Sequence, residues 1–273
     1  MRYRLPFDSV SSIIELDSPE ISLPDNIVIA EGDTHLERRN NAVQTLLDQP
    51  NVNTVVLLEP QRGNVETAIH HLYDEALGKR MRSDYKAVAE ATPQNPDLYA
   101  HLKAYMERRR TSGNFPELGN MRIAKVSEAA GKIWSQSFDD ANNIKNTTVT
   151  QSILSYVPEY SGSRTSAEGF INAHIDSMNS TKDFRLVECL HGSGTVLFDD
   201  NDFTVQAGGT IELLNSKMDC WTLAEGSSVL IRTPSDFNAT LGARTTVHAH
   251  GLGEPDDTPE KRLTVRHDLA FEL

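Results

Sequence analysis

Apolar residues recur every three or four positions in several stretches of the first half of the chain, which is the pattern of an amphipathic helix. Between two of these stretches, Thr54 to Leu58 forms a short buried-strand pattern that stops at Pro60. The spacing predicts four helices. They cover residues 35–48, residues 65–77, a stretch after Pro96 with Leu98, Leu102, Tyr105 and Met106 on one face, and a stretch with Ile123, Val126, Ala130, Ile133, Trp134 and Phe138 on one stripe.

From about Thr147 the pattern changes to short strand-like runs separated by Gly, Pro, Asp and Asn. Many short strands at regular spacing are typical of a sandwich or a barrel. We therefore expect an α+β protein whose core is a double-stranded β-helix (jelly-roll, cupin-like), with the N-terminal helices packed on it. The predicted strands are residues 148–156 (ending at Pro158), 184–190, 194–198, 210–214, 228–232, 245–250 and 262–268.

These patterns divide the chain into three expected parts. Residues 1–50 form an N-terminal extension, residues 51–146 form a mainly helical region, and residues 147–273 form the jelly-roll core that holds a metal. We expect one structural domain overall, because 273 residues suit one large domain with a sizeable core.

The charge and the cysteines narrow the class of protein. A formal net charge of −13 argues against nucleic acid as a partner, since phosphate binding needs a basic surface. No window is apolar enough to span a bilayer, and no apolar run follows the basic start, so neither a membrane nor a secretory signal is expected. Cys189 and Cys220 lie in strand-like segments without a CxxC motif, which indicates reduced core thiols in a cytoplasmic protein.

The tripeptide His174-Ile175-Asp176 carries the strongest chemical signal. Side chains two residues apart on a strand point the same way, so the imidazole and the carboxylate can bind one ion. With an imidazole from a distant strand they complete a two-His-one-carboxylate set, which leaves open positions on Fe(II) for a co-substrate and O2. The second imidazole is His248 or His250, which share a face. We favour His248, because it lies deeper in the strand and Gly251 begins the turn.

Arg262, Thr264 and Arg266 share one face of the last predicted strand, and Leu263 and Val265 share the other. A buried arginine needs an anionic partner, which a dicarboxylate co-substrate would provide to Arg262, with a hydroxyl bond from Thr264. The alternative is a solvent-facing edge strand. It would explain Arg266 as well as a pocket does, and it explains Arg262 less well.

Other polar residues allow two interpretations each. Tyr156 would bind the co-substrate, or it would be a core tyrosine with its hydroxyl bonded to backbone. Arg185 would face the pocket and contact substrate, or it would lie on the surface. His191 and His267 are expected at a turn and on the surface.

Several of these motifs in this order resemble the Fe(II)/2-oxoglutarate dioxygenase superfamily. The run Ser155-Tyr156-Val157-Pro158 before His174-x-Asp176 is similar to the Y-x-P-G … H-x-D entry of that superfamily, and Arg262-x-Thr264 is similar to its R-x-S motif. A narrower resemblance is to the bacterial family DUF1826. It rests on the strand of residues 184–190, the Gly192-Ser193-Gly194-Thr195 turn, Thr246-Val247-His248 and Arg262-Leu263-Thr264.

The superfamily resemblance implies an oxidoreductase. His174, Asp176 and His248 would be both the metal ligands and the catalytic centre. Arg262, Thr264 and Tyr156 would hold 2-oxoglutarate, and O2 would be consumed. The implied reaction hydroxylates a small-molecule substrate and releases succinate and CO2. Two alternatives stay open: a hydroxylase of a protein or peptide side chain, and a cupin-like metal-binding protein without oxygenase turnover. Arg262 argues against the latter, which has no use for a co-substrate arginine.

Overall fold

The computed structural model describes residues 2–58, 87–91, 104, 120–160, 164–165, 170–176, 182–206, 210–252 and 260–272. Three helices are described within these ranges: α1 (His35–Asp48), α2 (Asn120–Asn142) and α3 (Asp236–Thr240). The described strands are β1 (Arg2–Pro6), β2 (Val10–Leu16), β3 (Ile27–Ile29), β4 (Thr54–Leu57), β5 (Ala87–Ala91), β6 (Thr147–Tyr160), β7 (Arg164–Thr165), β8 (Phe170–His174), β9 (Phe184–His191), β10 (Val196–Phe198), β11 (Phe203–Val205), β12 (Ile211–Leu213), β13 (Met218–Leu223), β14 (Ser228–Arg232), β15 (His248–Ala249) and β16 (Glu260–Phe271).

The described strands form two sheets of seven strands each and a two-stranded ribbon of β11 and β12. The first sheet has the order β1-β8-β15-β10-β13-β2, with β7 also paired to β8, and the second has the order β3-β4-β14-β9-β16-β6-β5. From β6 onward the chain moves back and forth: β8, β10, β13 and β15 join the first sheet, and β9, β14 and β16 join the second. Strands that are distant in sequence therefore become neighbours, such as β8 and β15.

An apolar core joins the two sheets. Trp221 of β13 and Val229 of β14 belong to one buried cluster, so the first sheet packs on one face of the second. Leu230 points the other way and packs with Leu46 of α1 and Ala141 of α2. All five residues of β14 are buried, because one face meets the first sheet and the other meets the helices. The expected α+β class is confirmed.

The two described helices that the sequence predicts have clear local causes. α1 begins at His35 because the Thr34 hydroxyl accepts a hydrogen bond from the Glu37 backbone N–H at 3.1 Å, which caps the helix. α2 includes the predicted stripe, and Trp134 lies fully buried on it with its indole N–H donating to Ser152 of β6 at 2.6 Å. The predicted helices at residues 65–77 and after Pro96 lie outside the described residues.

The structure extends some of the predicted strands and adds others. β6 does not stop at Pro158 but continues to Tyr160. The register with β16 shifts there, from Arg262 opposite Val157 to Glu260 opposite Tyr160, and such an irregularity tolerates a residue without an N–H donor. The N-terminal residues, expected as an extension, supply three strands: β1 pairs with β8, β2 with β13 and β3 with β4.

Cys189 and Cys220 are both buried free thiols, as predicted. In the part of the chain that the structure describes, no helix is both long enough and apolar enough to cross a membrane.

Candidate metal centre

Three side chains predicted to bind a metal lie together where β8 ends and β15 begins. His174 and His248 are direct cross-strand partners, and their ring centroids lie 4.4 Å apart. Asp176 follows β8 by two residues. One possible ligand atom from each of the three side chains lies within 4.8 Å of the other two, which is the spacing needed to hold one ion.

Strand alternation explains why these side chains face the space between the sheets. Ala173 and Val247 pack in the apolar cluster on the outer face of the first sheet. Their neighbours His174 and His248 therefore point to the opposite face, toward the second sheet. Asp176 points the same way, because its carboxylate contacts Arg185 of β9.

Both imidazoles are arranged to offer Nε2 to a metal. Nδ1 of His174 lies 3.3 Å from the Asn172 carbonyl oxygen, and Nδ1 of His248 lies 3.4 Å from the Thr246 carbonyl oxygen. A carbonyl only accepts, so the bonded tautomer carries its proton on Nδ1 and leaves the Nε2 lone pair available. Burial holds the pKa of His248 well below its usual range, and the nearby His174, Arg185 and Lys182 lower it further. His248 is therefore neutral, which is the form that binds metals.

The two oxygens of Asp176 have different surroundings. Oδ1 accepts a hydrogen bond from Nη1 of Arg185. Oδ2 is buried, and it has no hydrogen-bond partner among the described residues. A buried carboxylate oxygen without a partner is costly, and a cation would remove that cost. The donor set of two imidazoles and one carboxylate therefore fits a divalent metal such as Fe(II), with Oδ2 as its third protein ligand.

His250, the alternative to His248, is also near this site. Its ring centroid lies 5.1 Å from that of His174, but the residue is exposed, whereas His248 is 5% exposed. The grouping of close ligand atoms contains His248 and not His250.

Two residues predicted to bind the co-substrate lie on β16. Arg262 and Thr264 are both buried and share the strand face opposite Leu263, Val265 and Leu269. Leu269 packs with the helices, so Arg262 and Thr264 face the first sheet and the side on which the metal ligands lie. Nε of Arg262 donates to the Ser193 carbonyl oxygen at 2.9 Å, which holds the guanidinium at the β9–β10 turn.

Two further predicted residues lie near this face. Tyr156 is on β6 opposite Leu263, and its side chain lies outside the described part of the structure. Arg266 is partly exposed, with 33% of its side chain accessible, and its Nε lies 3.8 Å from Asp268 Oδ1.

Arg185 takes the inward of its two expected orientations, and it contacts protein carboxylates. Its Nε donates to Asp268 Oδ1 at 2.7 Å, and its Nη2 donates to Asp268 Oδ2 at 3.2 Å. Lys182 also approaches Asp268, at 3.6 Å. Neither Asp268 nor Lys182 was singled out from the sequence. Strand alternation could have indicated Asp268, because it continues the face formed by Arg262, Thr264 and Arg266.

His267 is predicted to lie on the surface, and this prediction is wrong, because the residue is fully buried. It lies on the helix-facing side of β16, where its Nε2 is 2.7 Å from the Ser137 hydroxyl of α2. That hydroxyl also donates to Glu188 at 2.6 Å, and Glu188 pairs with Arg39 of α1. Burial alone would raise the pKa of Glu188, but Arg39 and His267 outweigh it and lower the pKa.

His191, expected at a turn, ends β9 and bonds Glu225.

A cavity of about 450 Å³ lies elsewhere, beside the β11–β12 ribbon. Its lining includes Phe203, Leu214, Arg244 and Val247. Val247 and His248 point to opposite faces of the first sheet, so this cavity is not the metal centre.

No family model matches the sequence, and no curated protein matches it. The resemblance to DUF1826 therefore stays a prediction.

Similar solved structures include a full-length Neurospora crassa protein in complex with alpha-KG (14% identity, 93% of this chain and 87% of that chain covered, TM-score 0.42). Others are the dioxygenase for auxin oxidation of rice (10% identity, 90% and 82% covered, TM-score 0.41) and an oxidoreductase of the 2OG-Fe(II) oxygenase family from Burkholderia pseudomallei (12% identity, 89% and 93% covered, TM-score 0.37). At these similarities, the function proposed below rests on the geometry of the site.

Proposed function

We propose that this protein is an Fe(II)/2-oxoglutarate-dependent oxygenase built on a double-stranded β-helix, and that it hydroxylates a small-molecule substrate. The arrangement of His174, Asp176 and His248 carries the proposal. The site offers three ligands: two imidazoles that can bind in their neutral form and one carboxylate with a buried oxygen that has no partner among the described residues. Three ligands suit a metal that needs open positions for reaction partners.

The residues of the centre would hold the metal from one side. His174 and His248 would bind through Nε2, and Asp176 would bind through Oδ2. Bound Fe(II) supplies the chemistry by which O2 oxidises 2-oxoglutarate to succinate and CO2, with the second oxygen atom inserted into a substrate C–H bond. The protein would contribute fixed ligand geometry, with Asp176 and His248 shielded from water at 7% and 5% exposed and His174 half-buried.

Arg262 and Thr264 would bind the distal carboxylate of 2-oxoglutarate. The buried Arg262 is fixed through Nε by the Ser193 carbonyl, so its orientation is set before any ligand arrives. The Thr264 hydroxyl lies two residues away on the same face and would donate a further hydrogen bond. Tyr156 stands opposite Leu263 on β6, and directly opposite residues share a sheet face, so its predicted role in binding this ligand is not part of the proposal.

A small molecule is the substrate class that burial favours. The ligand atoms lie between two packed sheets, and a compact molecule reaches such a space more easily than a folded protein surface does. A side chain on a protein or peptide is the alternative substrate, and it would have to enter as an extended segment.

The test is succinate formation from 2-oxoglutarate under air, with the full chain loaded anaerobically with Fe(II). We expect slow, iron-dependent succinate release even without added substrate. His174→Ala should abolish it through loss of the metal. Arg262→Ala should abolish it through loss of the co-substrate while metal binding persists. A metal-loaded protein that neither turns over nor binds 2-oxoglutarate would contradict the proposal and favour the cupin-like metal-binding protein.

A further inference from the structure

Arg185 connects the carboxylate of Asp176, a proposed metal ligand, to β16 of the second sheet. Its guanidinium bonds Asp176 through Nη1 and Asp268 through Nε and Nη2, at 2.7 and 3.2 Å for the latter two. Arg185 and Asp268 are also direct cross-strand partners on β9 and β16. All three residues are less than 10% exposed: Asp176 and Arg185 at 7%, and Asp268 at 2%. The bridge is therefore shielded from water.

The two-point contact with Asp268 matters for the charge near the metal. A buried guanidinium without a counterion is strongly unfavourable. Without Asp268, Arg185 would form its ion pair with Asp176. Asp268 meets two of the guanidinium nitrogens in the fork geometry that arginine and carboxylates favour. Arg185 can then donate a hydrogen bond to Asp176 while Asp268, which Lys182 and Arg266 also approach, accepts from its other two nitrogens.

The contact also distinguishes the two oxygens of Asp176. Oδ1 is occupied by Arg185, and Oδ2 has no hydrogen-bond partner in the described part of the chain. A carboxylate fixed in this way presents one oxygen to an ion. It cannot rotate to chelate through both oxygens without losing the bond to Arg185.

We propose that Arg185 and Asp268 are a positioning pair that holds Asp176 for metal coordination through a single oxygen, and that Arg185 does not bind substrate. This inference rests on the metal ligands of the proposed function. It assigns to Asp268 a role in the site although Asp268 itself binds neither metal nor co-substrate.

A matched control exists on the opposite face of the same strand. Glu188 of β9 and Arg39 of α1 form another buried arginine–carboxylate pair, and both are less than 5% exposed. That pair lies on the helix side of the sheet. Arg39→Met therefore removes a buried partner of a β9 carboxylate without touching the metal side.

The experiment is titration of the whole 273-residue chain with Co(II), monitored through the visible absorption of the bound ion. We expect Arg185→Met and Asp268→Asn each to raise the Kd for Co(II) by roughly 10–100-fold, the usual cost of removing a residue that orients a metal ligand. The double variant should bind no more weakly than Arg185→Met, because both changes break one bridge. The absorption spectrum of the bound ion should change in both single variants, since Asp176 is free to chelate.

Arg39→Met should lower the melting temperature but leave the Kd within about twofold of wild type. Should Arg185→Met fail to fold, the near-isosteric Asp268→Asn decides the question. Wild-type Kd and spectrum in the site variants would overturn the positioning role alone. A wild-type protein that binds no Co(II) would instead overturn the proposed function, and the positioning pair with it.

Discussion

His174 and His248 stand directly opposite each other on β8 and β15, with their ring centroids 4.4 Å apart. This pairing is the reason that two imidazoles far apart in sequence can share one ion. The third proposed ligand, Asp176, follows His174 by two residues and faces the same side. A change in the register of β15 by one residue would turn His248 to the outer face and destroy the centre.

His248 is buried and His250 is exposed, so substituting these two candidate ligands should affect metal binding differently. We expect His248→Ala to weaken binding of Mn(II) or Co(II) by more than about 100-fold, beyond what loss of a merely supporting residue costs. His250→Ala is the matched control and should leave the Kd within about threefold of wild type. Calorimetric titration measures both. The opposite ranking would make His250 the ligand.

Arg262 and Arg266 lie on the same face of β16, but only Arg262 is buried. We expect Arg262→Met to raise the Kd for 2-oxoglutarate by roughly 10–100-fold, because a charge-assisted hydrogen bond is worth about 1.5–3 kcal/mol. Binding to the Mn(II)-loaded protein is the readout, and the Kd for Mn(II) itself should not change. Arg266→Met should have little effect on either constant. Equal effects of the two substitutions would argue against a dedicated co-substrate arginine.

Gly251 packs closely on the turn that fixes Arg262. A Cβ at this position would lie 2.4 Å from Ser193 Oγ and 2.5 Å from the Ser193 carbonyl oxygen, which accepts the Arg262 bond. Gly251→Ala should therefore cost about 1–3 kcal/mol of stability and also weaken 2-oxoglutarate binding.

The control for this substitution is Gly242→Ala. Gly242 has φ +66° and nothing within 4 Å of a built Cβ. Its substitution should cost about 1 kcal/mol through backbone strain and leave 2-oxoglutarate binding intact. Thermal unfolding and ligand titration together distinguish the two cases.

Burial of His267 predicts acid sensitivity. Burial lowers its pKa to about 4, Arg39 opposes protonation further, and Glu188 favours it. The unfolded chain takes up this proton near pH 6.5, so the folded state loses stability as the pH falls from 6.5 toward 4. The loss from this single group should reach about 2 kcal/mol at pH 5, at roughly 1.4 kcal/mol per pH unit.

Denaturant unfolding at pH 7 and pH 5 measures this loss, with His267→Gln as the reference. Glutamine can still bond Ser137 but does not titrate, so the variant should lose less stability than wild type between the two pH values. Burial raises the pKa of Asp200 to about 6, which acts in the opposite direction over the same range. Asp200 is present in both proteins, so its effect cancels in the comparison. Parallel losses in the two proteins would show that His267 is not the cause.

The sequence predicted those parts of the fold and site in which local pattern and burial agree. α1, β4 and β14 follow directly from their periodicity, and His174, Asp176 and His248 follow from spacing on strands. The N-terminal strands were missed, because β1 and β2 gain their stability from pairing with β8 and β13, and that pairing is not visible in local sequence.

Contacts between elements that are distant in the chain were also not predictable from the sequence. His267 was expected on the surface, but it lies in the core, where the Ser137 hydroxyl of α2 bonds its Nε2. Arg185 allowed two orientations until the cross-strand position of Asp268 was known. In both cases the deciding neighbour is distant in the chain.

The interleaved path of the chain has a consequence for assembly. β8 and β15 are neighbours in the first sheet, and the segment between them supplies strands to both sheets, so a chain synthesised only as far as β14 lacks one of the three proposed ligands. Metal loading of the proposed site would then follow folding. A bound ion would bind the native state and not the unfolded chain, and it would add about RT ln(1 + [metal]/Kd) to stability. Through this dependence, the lifetime of the folded protein would report on the supply of its metal.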